Sequence, residues 1–157
     1  PHLAGRRVAV AESGGVAALA DALGRSLTES GAVVSVVHHP DDSAKAAAAN
    51  AFEAAVFLGV SLRDEPGASA AFYASEGFES VGGRRLAELV IDELPIAALG
   101  EGAAGAIQGM RLPVLRETRM PAVVVELGPP AGVVQHARRL AEALASAVAR
   151  WARGPVG

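Results

Sequence analysis

The sequence predicts an α/β fold: a single-domain three-layer sandwich, with a mostly parallel sheet between helices on both faces. Three observations carry this. Apolar runs rich in β-branched residues recur at 6–11 (RRVAVA), 32–37 (AVVSVV), 54–60 (AAVFLGV) and 121–127 (PAVVVEL), and runs without a helical period read as strands buried on both faces. Between them lie stretches with helical spacing, of which Val16, Leu19, Ala20, Leu23 and Leu27 form the clearest. Strand–helix alternation of this kind implies right-handed βαβ crossovers and therefore parallel pairing. The chain has 157 residues and shows neither an internal repeat nor a linker composition, so one domain spanning 1–157 is expected.

Taken in order, the first strand gives way at Glu12-Ser13-Gly14-Gly15 to a tight turn. A helix starts near Val16 and Gly31 supplies its stop. The second strand ends in the turn His38-His39-Pro40-Asp41-Asp42, where Asp41, Asp42 or Ser43 serves as N-cap of an alanine-rich helix reaching about Glu53. After the third strand, Ser61–Ala68 reads as a polar loop holding Arg63, Asp64, Glu65 and Pro66, and Ala70–Ala74 as an edge strand. Glu79 or Ser80 opens a helix with Leu86, Leu89, Val90 and Leu94 toward the core, and Pro95 ends or kinks it. Gly100–Gly109 is expected as a glycine-rich connector. One closing helix is expected over Val133–Trp151, with Val133, Ala137, Leu140, Leu144, Val148 and Trp151 on one face.

Composition narrows the function classes. Hydrophobic residues at 51% against 20% charged argue for a packed domain rather than a disordered one. A net charge of −3 without a basic stripe excludes nucleic acid as a partner. The lack of cysteine excludes disulfides and thiolate metal sites without fixing a compartment. No apolar run approaches the roughly 18 residues of a spanning helix. Because the chain opens on Pro1 rather than Met, we expect a domain excised from a longer protein.

Glu126 stands near the end of the last apolar strand, where a carboxylate is costly unless something pairs with it. Either its head reaches solvent past the strand, or it is a site residue at the carboxyl end of a central strand, where open α/β sheets place their ligands. The four histidines offer little. His38 and His39 are adjacent at a strand end and point to opposite faces; with Asp41 and Asp42 they form either a loose divalent-cation site or a solvated turn. His136 reads as a surface residue beside Arg138 and Arg139, and His2 as part of the terminus. Gly100-Glu-Gly-Ala-Ala-Gly105 formally satisfies a dinucleotide fingerprint but follows a helix, whereas that chemistry needs a strand before it. Ser13-Gly14-Gly15 at a helix start could hold an anion on backbone N–H groups, although capping explains Ser13 equally well. No G-x-S-x-G elbow or S-x-x-K occurs, so serine nucleophile chemistry has no support.

The run Leu115-Arg116-x-Thr118-x-Met120-Pro121-Ala122-Val123-Val124-Val125-Glu126-Leu127-Gly128 resembles the signature of zinc-dependent N-acetylmuramoyl-L-alanine amidases, the cell-wall hydrolases. The resemblance extends more weakly forward. Ala54–Arg63 sits where the family writes Ala-Asp-Leu-Phe-Leu-Ser-Ile-His-Ala-Asn, with Ala49-Asn50 before it. Gly77-Phe78-Glu79 resembles a further strand, and Val8–Gly15 covers the first strand and its Asp-Pro-Gly-His-Gly-Gly loop. It implies an amidase-like fold in which Glu126 holds the catalytic position. There a zinc ion on three protein ligands activates water, and the carboxylate moves its proton to the leaving amine.

The departures matter as much. Pro129 and Pro130 stand where the motif continues with Phe. The strand-end histidine falls on Ser61, and the first-loop histidine on Gly14 or Ser13, which leaves Glu12 as the one candidate ligand by spacing. The resemblance therefore implies a degenerate member without zinc. Glu126 is then catalytic by family position only, and Glu12, Ser61, Arg63 and Arg116 are binding residues, with Arg63 or Arg116 as hydrogen-bond donor to Glu126. The implied partner is peptidoglycan stem peptide or a cell-wall protein, at the cell envelope or the cytoplasmic face of cell-wall synthesis. Two alternatives stand beside it: a working zinc amidase cleaving the muramoyl–L-alanine bond, and a small domain binding an anionic metabolite at Ser13–Gly15.

Overall fold

The computed structural model describes residues 3–154; His2 lies outside them. Seven strands form one sheet: β1 (Arg7–Ser13), β2 (Val33–His38), β3 (Val56–Leu62), β4 (Gly67–Ser75), β5 (Phe78–Glu79), β6 (Ala104–Met110) and β7 (Ala122–Gly128). The order is β2-β1-β3-β7-β4-β5, with β6 also on β4. Pairing is parallel for β2-β1-β3-β7 and for β4-β6, and antiparallel for β4 with β7 and with β5. The sheet is mostly parallel, as the alternation of strand and helix requires.

The two faces are built differently. Against one pack α1 (Ala17–Glu29), α3 (Val81–Glu93), α5 (Pro130–Gln135) and α6 (Ala137–Ala152), around Leu19, Leu23, Leu86, Val90, Leu140 and Leu144. Arg85 fastens α3 to the end of α6, donating to the carbonyls of Trp151 and Arg150 at 3.0 and 3.2 Å. Among the described residues the other face is covered by α2 (Asp42–Ala51) and α4 (Pro113–Glu117) alone, over a smaller core that includes Ala9, Ala11, Ala46, Ala49 and Phe57. Strand alternation assigns each residue to a face: Val8 and Val10 join the larger core, Ala9 and Ala11 the smaller.

The structure corrects four expectations. Ala70–Ala74 belongs to β4, which is interior rather than an edge: Ala68, Ala70 and Phe72 pack into the larger core and Ala71 into the smaller. Its first residue, Gly67, has φ +125° and a Cβ there would overlap the Ala104 carbonyl oxygen, so only glycine begins the strand. The polar loop shrinks accordingly to the few residues between β3 and β4. The glycine-rich connector contains the exposed edge strand β6, so the formal fingerprint at Gly100–Gly105 runs into a strand and not a helix. The closing helix is broken at His136, which ends α5 and opens α6.

Candidate polar cleft at the carboxyl edge of the sheet

Register places four polar side chains in one row across four adjacent strands. Ser13 of β1 pairs with Ser61 of β3, Ser61 with Glu126 of β7, and Glu126 with Ser69 of β4. All four share the parity of the α2/α4 face, so they line up beneath those helices where the parallel strands end. The Ser69 hydroxyl, 6% exposed, donates to Glu126 Oε1 at 3.4 Å. Glu126 itself is half-buried.

Lys45 completes the arrangement. It lies in the first turn of α2, capped by Asp41, whose side chain accepts from the Ala44 N–H at 2.8 Å. Helical side chains lean back toward the helix start, which carries the ammonium to the sheet edge. Nζ donates to Ser13 Oγ at 2.7 Å and lies 3.5 Å from Asp42 Oδ1, while the side chain is 4% exposed. A lysine there faces the positive end of the helix dipole, so helix formation alone does not call for it. Lys45, Ser13, Ser61 and Glu126 border one cavity of about 250 Å³ with apolar walls at Phe57, Val114 and Val124.

Sequence reasoning missed Lys45 and Ser69. The signal for Lys45 is its spacing to Ala46 and Ala49, the other buried residues of α2, an i, i+1, i+4 pattern that an alanine run hides. Ser69 was hidden by the expectation of a polar loop up to Ala68.

The remaining candidates lie elsewhere. Glu12 has the opposite parity from Ser13 and so stands on the α1 face of β1. There His38 Nδ1 lies 3.3 Å from its Oε1 and His38 Nε2 3.6 Å from Asp21, while Glu12 Oε2 is buried without a partner. Strand alternation thus separates Glu12 from Ser61 and Glu126. Arg63 does not serve Glu126 either: it donates to the carbonyls of Glu65 and Pro66 at 3.2 and 3.3 Å, bracing its own loop. Arg116 is exposed and lies 3.6 Å from Glu117. Ser69 is the donor that Glu126 uses. Ser13 is not the cap of α1, whose N-cap is Val16 without a side-chain bond. His39 accepts from the Asp41 N–H at 3.0 Å within its turn. Among the described residues no group of three or more His, Cys, Asp or Glu side chains converges as a metal site would require, and no helix is long and apolar enough to cross a membrane.

A mostly parallel sheet, layered by helices and ending in a row of hydroxyls and one carboxylate, defines an α/β domain with a polar cleft at its carboxyl edge, the place where open α/β sheets put their ligands. Its fold is that of the N-acetylmuramoyl-L-alanine amidases. The amidase from Clostridium difficile 630 superposes with a TM-score of 0.78 at 18% identity, over 97% of this chain and 99% of that one. The apo amidase from Mycobacterium abscessus gives 0.72 at 14% identity, over 95% and 99%. The CwlD amidase from Clostridioides difficile, in complex with the GerS lipoprotein, gives 0.66 at 12% identity, over 93% and 98%. No family model and no curated protein matches the sequence.

Proposed function

We infer that the domain is a binding or regulatory module of peptidoglycan metabolism, built on an amidase fold whose cleft no longer supports zinc hydrolysis. The observation that carries this reading is the ammonium of Lys45 beside Ser13, in the row that includes Glu126. A catalytic zinc takes about three His or carboxylate donors and keeps one open position. Here two of the strand ends offer neutral serine hydroxyls, and a dication would also have to approach a buried ammonium. The residues present do not fit zinc. Without it, nothing lowers the pKa of the attacking water toward neutrality, and a lone carboxylate is too weak a base to replace it.

What remains suits binding. Glu126, Ser61 and Lys45 are polar groups converging on an apolar-walled cavity, with a peptidoglycan stem peptide as the favoured occupant. The lipoprotein complex of the Clostridioides difficile amidase supports a protein partner as the other occupant of such a domain.

Two measurements test the reading. After incubation with zinc and dialysis, elemental analysis should find no stoichiometric metal, and purified peptidoglycan should release no stem peptide. Co-sedimentation with that peptidoglycan should nonetheless be saturable. One zinc per chain, with peptide release that stops in Glu126→Ala, would replace this reading with that of a working amidase.

A further inference from the structure

We propose that the domain forms a two-fold symmetric dimer through the outer edge of β6, which pairs with β6 of a second copy, antiparallel and centred on Ala106. Among the described residues β6 is hydrogen-bonded on one side only, to β4. Its outer N–H and C=O groups therefore form an unpaired row about 23 Å long, from 7 residues at about 3.3 Å each. Such an edge templates pairing with another strand, and proteins that stay single blunt it with charge, proline or a bulge. β6 reads Ala-Gly-Ala-Ile-Gln-Gly-Met in unbroken register with β4 and has none of these; all its residues but Ile107 and Met110 are exposed. Gly105 and Gly109 put no side chain on the α3 face, where a Cβ would run into Ile96 and Ala74. Ala104 and Ala106 put only methyl groups on the other. Both faces of the strand are low, so a second strand can come alongside. The sheet's other edge, β2, differs: its inner residues are half-buried, with α1 and α2 against its two faces.

The occupant is a second copy because the strand and its flanks are complementary to themselves. Glu101 precedes β6 in a turn closed by the Ala103 N–H on the Gly100 carbonyl at 3.1 Å, and Arg111 directly follows the strand. Both are exposed, and among the described residues neither enters an ion pair. Opposite charges at the two ends of one strand choose the orientation. Parallel pairing of two copies sets Glu101 beside Glu101 and Arg111 beside Arg111; antiparallel pairing sets each against its opposite, twice by symmetry. The same charges choose the register. With Ala106 at the centre, Arg111 stands opposite Glu101 of the second copy, Gln108 opposite Ala104 and Ile107 opposite Gly105, so each larger side chain meets a small or oppositely charged one. With Ile107 at the centre, Gly105 would face Gly109 and Arg111 would face Ala103. A two-fold pairing uses up both edges and stops at two, whereas β6 on β2 of the next copy would grow into filaments. The contact is one strand wide, at the low end of interface sizes, which makes the dimer weak, with a Kd on the order of 100 μM.

The test is sedimentation velocity at low salt over about 10 μM to 1 mM protein, joined to amide exchange at the two ends of that range. The mean mass should rise from one chain toward two. The outward-facing, alternate amides of β6 should exchange more slowly at high concentration, while those of β2 do not change. Ala106→Lys sets two like charges face to face at the centre and should weaken the dimer about tenfold or more. Val33→Lys, at the exposed start of β2, should leave it unchanged. Glu101→Lys and Arg111→Glu should each weaken it about threefold or more, and the double variant should regain wild-type dimerisation. All four positions are exposed, and unfolding curves at low concentration show whether each variant is folded. The mass and exchange measurements on wild-type protein test the proposal without any variant. A chain that stays single at the highest concentration, as it would if β6 served a foreign strand, overturns it. So do protection that builds in β2 instead of β6, species that grow past two, a dimer that survives Ala106→Lys, or a double charge variant no better than the single ones.

Discussion

Replacing Lys45 by methionine should leave the ligand-free domain as stable as before or more so. The side chain is 4% exposed, so the ammonium has lost most of its hydration, which costs several kcal/mol even after relaxation. Against this stands one counter-ion at 3.5 Å, worth about 5 kcal/mol at an effective dielectric of 20, and one hydrogen bond worth about 1 kcal/mol. The terms nearly cancel. Methionine matches the length and keeps the stem packed, adding roughly 1.5–3 kcal/mol for the apolar tip if it is fully buried. The partners left behind are not stranded, because Asp42 is 38% exposed and Ser13 is exposed, so water takes both. The balance favours Lys45→Met by about 1–2 kcal/mol, and at roughly 2–4 °C per kcal/mol for a domain of this size the midpoint should rise by about 2–8 °C. Urea and thermal unfolding without ligand measure it, with Lys45→Ala as the control that leaves a cavity. A loss of more than about 1 kcal/mol in Lys45→Met would refute this balance and make the ammonium a structural prop.

Gly128→Ala should cost about 3 kcal/mol, the upper end for overpacking. A Cβ there would overlap the Arg63 carbonyl oxygen and stand 2.5 Å from that of Glu65, both backbone atoms; a urea midpoint close to wild type would show that the loop yields instead. Leu144→Ala, at a side chain with no exposure between α6 and the sheet, should cost about 2–5 kcal/mol, read by chemical unfolding.

The parallel half of the sheet was legible because β1, β2, β3 and β7 are runs of valine, alanine and leucine with no helical period, each followed by turn chemistry. β4 and β6 were not. In β4 the residues are mostly Ala and Ser, whose small side chains mask burial on both faces. In β6, Gly105 and Gly109 are so close to Ile96, Ile91 and Ala74 that a Cβ would collide, so glycine there marks tight packing in a strand and not a connector. Of the cleft, the alignment of Ser61 with Glu126 followed from motif register, since both lie near the carboxyl ends of paired parallel strands. Glu12 was misplaced because spacing along a chain does not say which face of a strand a side chain takes. Lys45 escaped because a lysine in an alanine helix reads as solubility until the packing shows which way it leans.

The unequal faces have a consequence for motion. The larger core locks α1, α3 and α6 together through leucine and valine, so those segments should open only with the whole domain. The roof of the cleft is α2, a ten-residue helix whose buried side chains are Lys45, Ala46 and Ala49, and α4, which buries only Val114 and Leu115. Lifting that roof exposes less apolar surface than opening the larger core would, and it frees one buried charge into water. The domain should therefore divide into a slab that opens last and a roof that opens first, with amide exchange faster in α2 and α4 than in α1, α3 and α6.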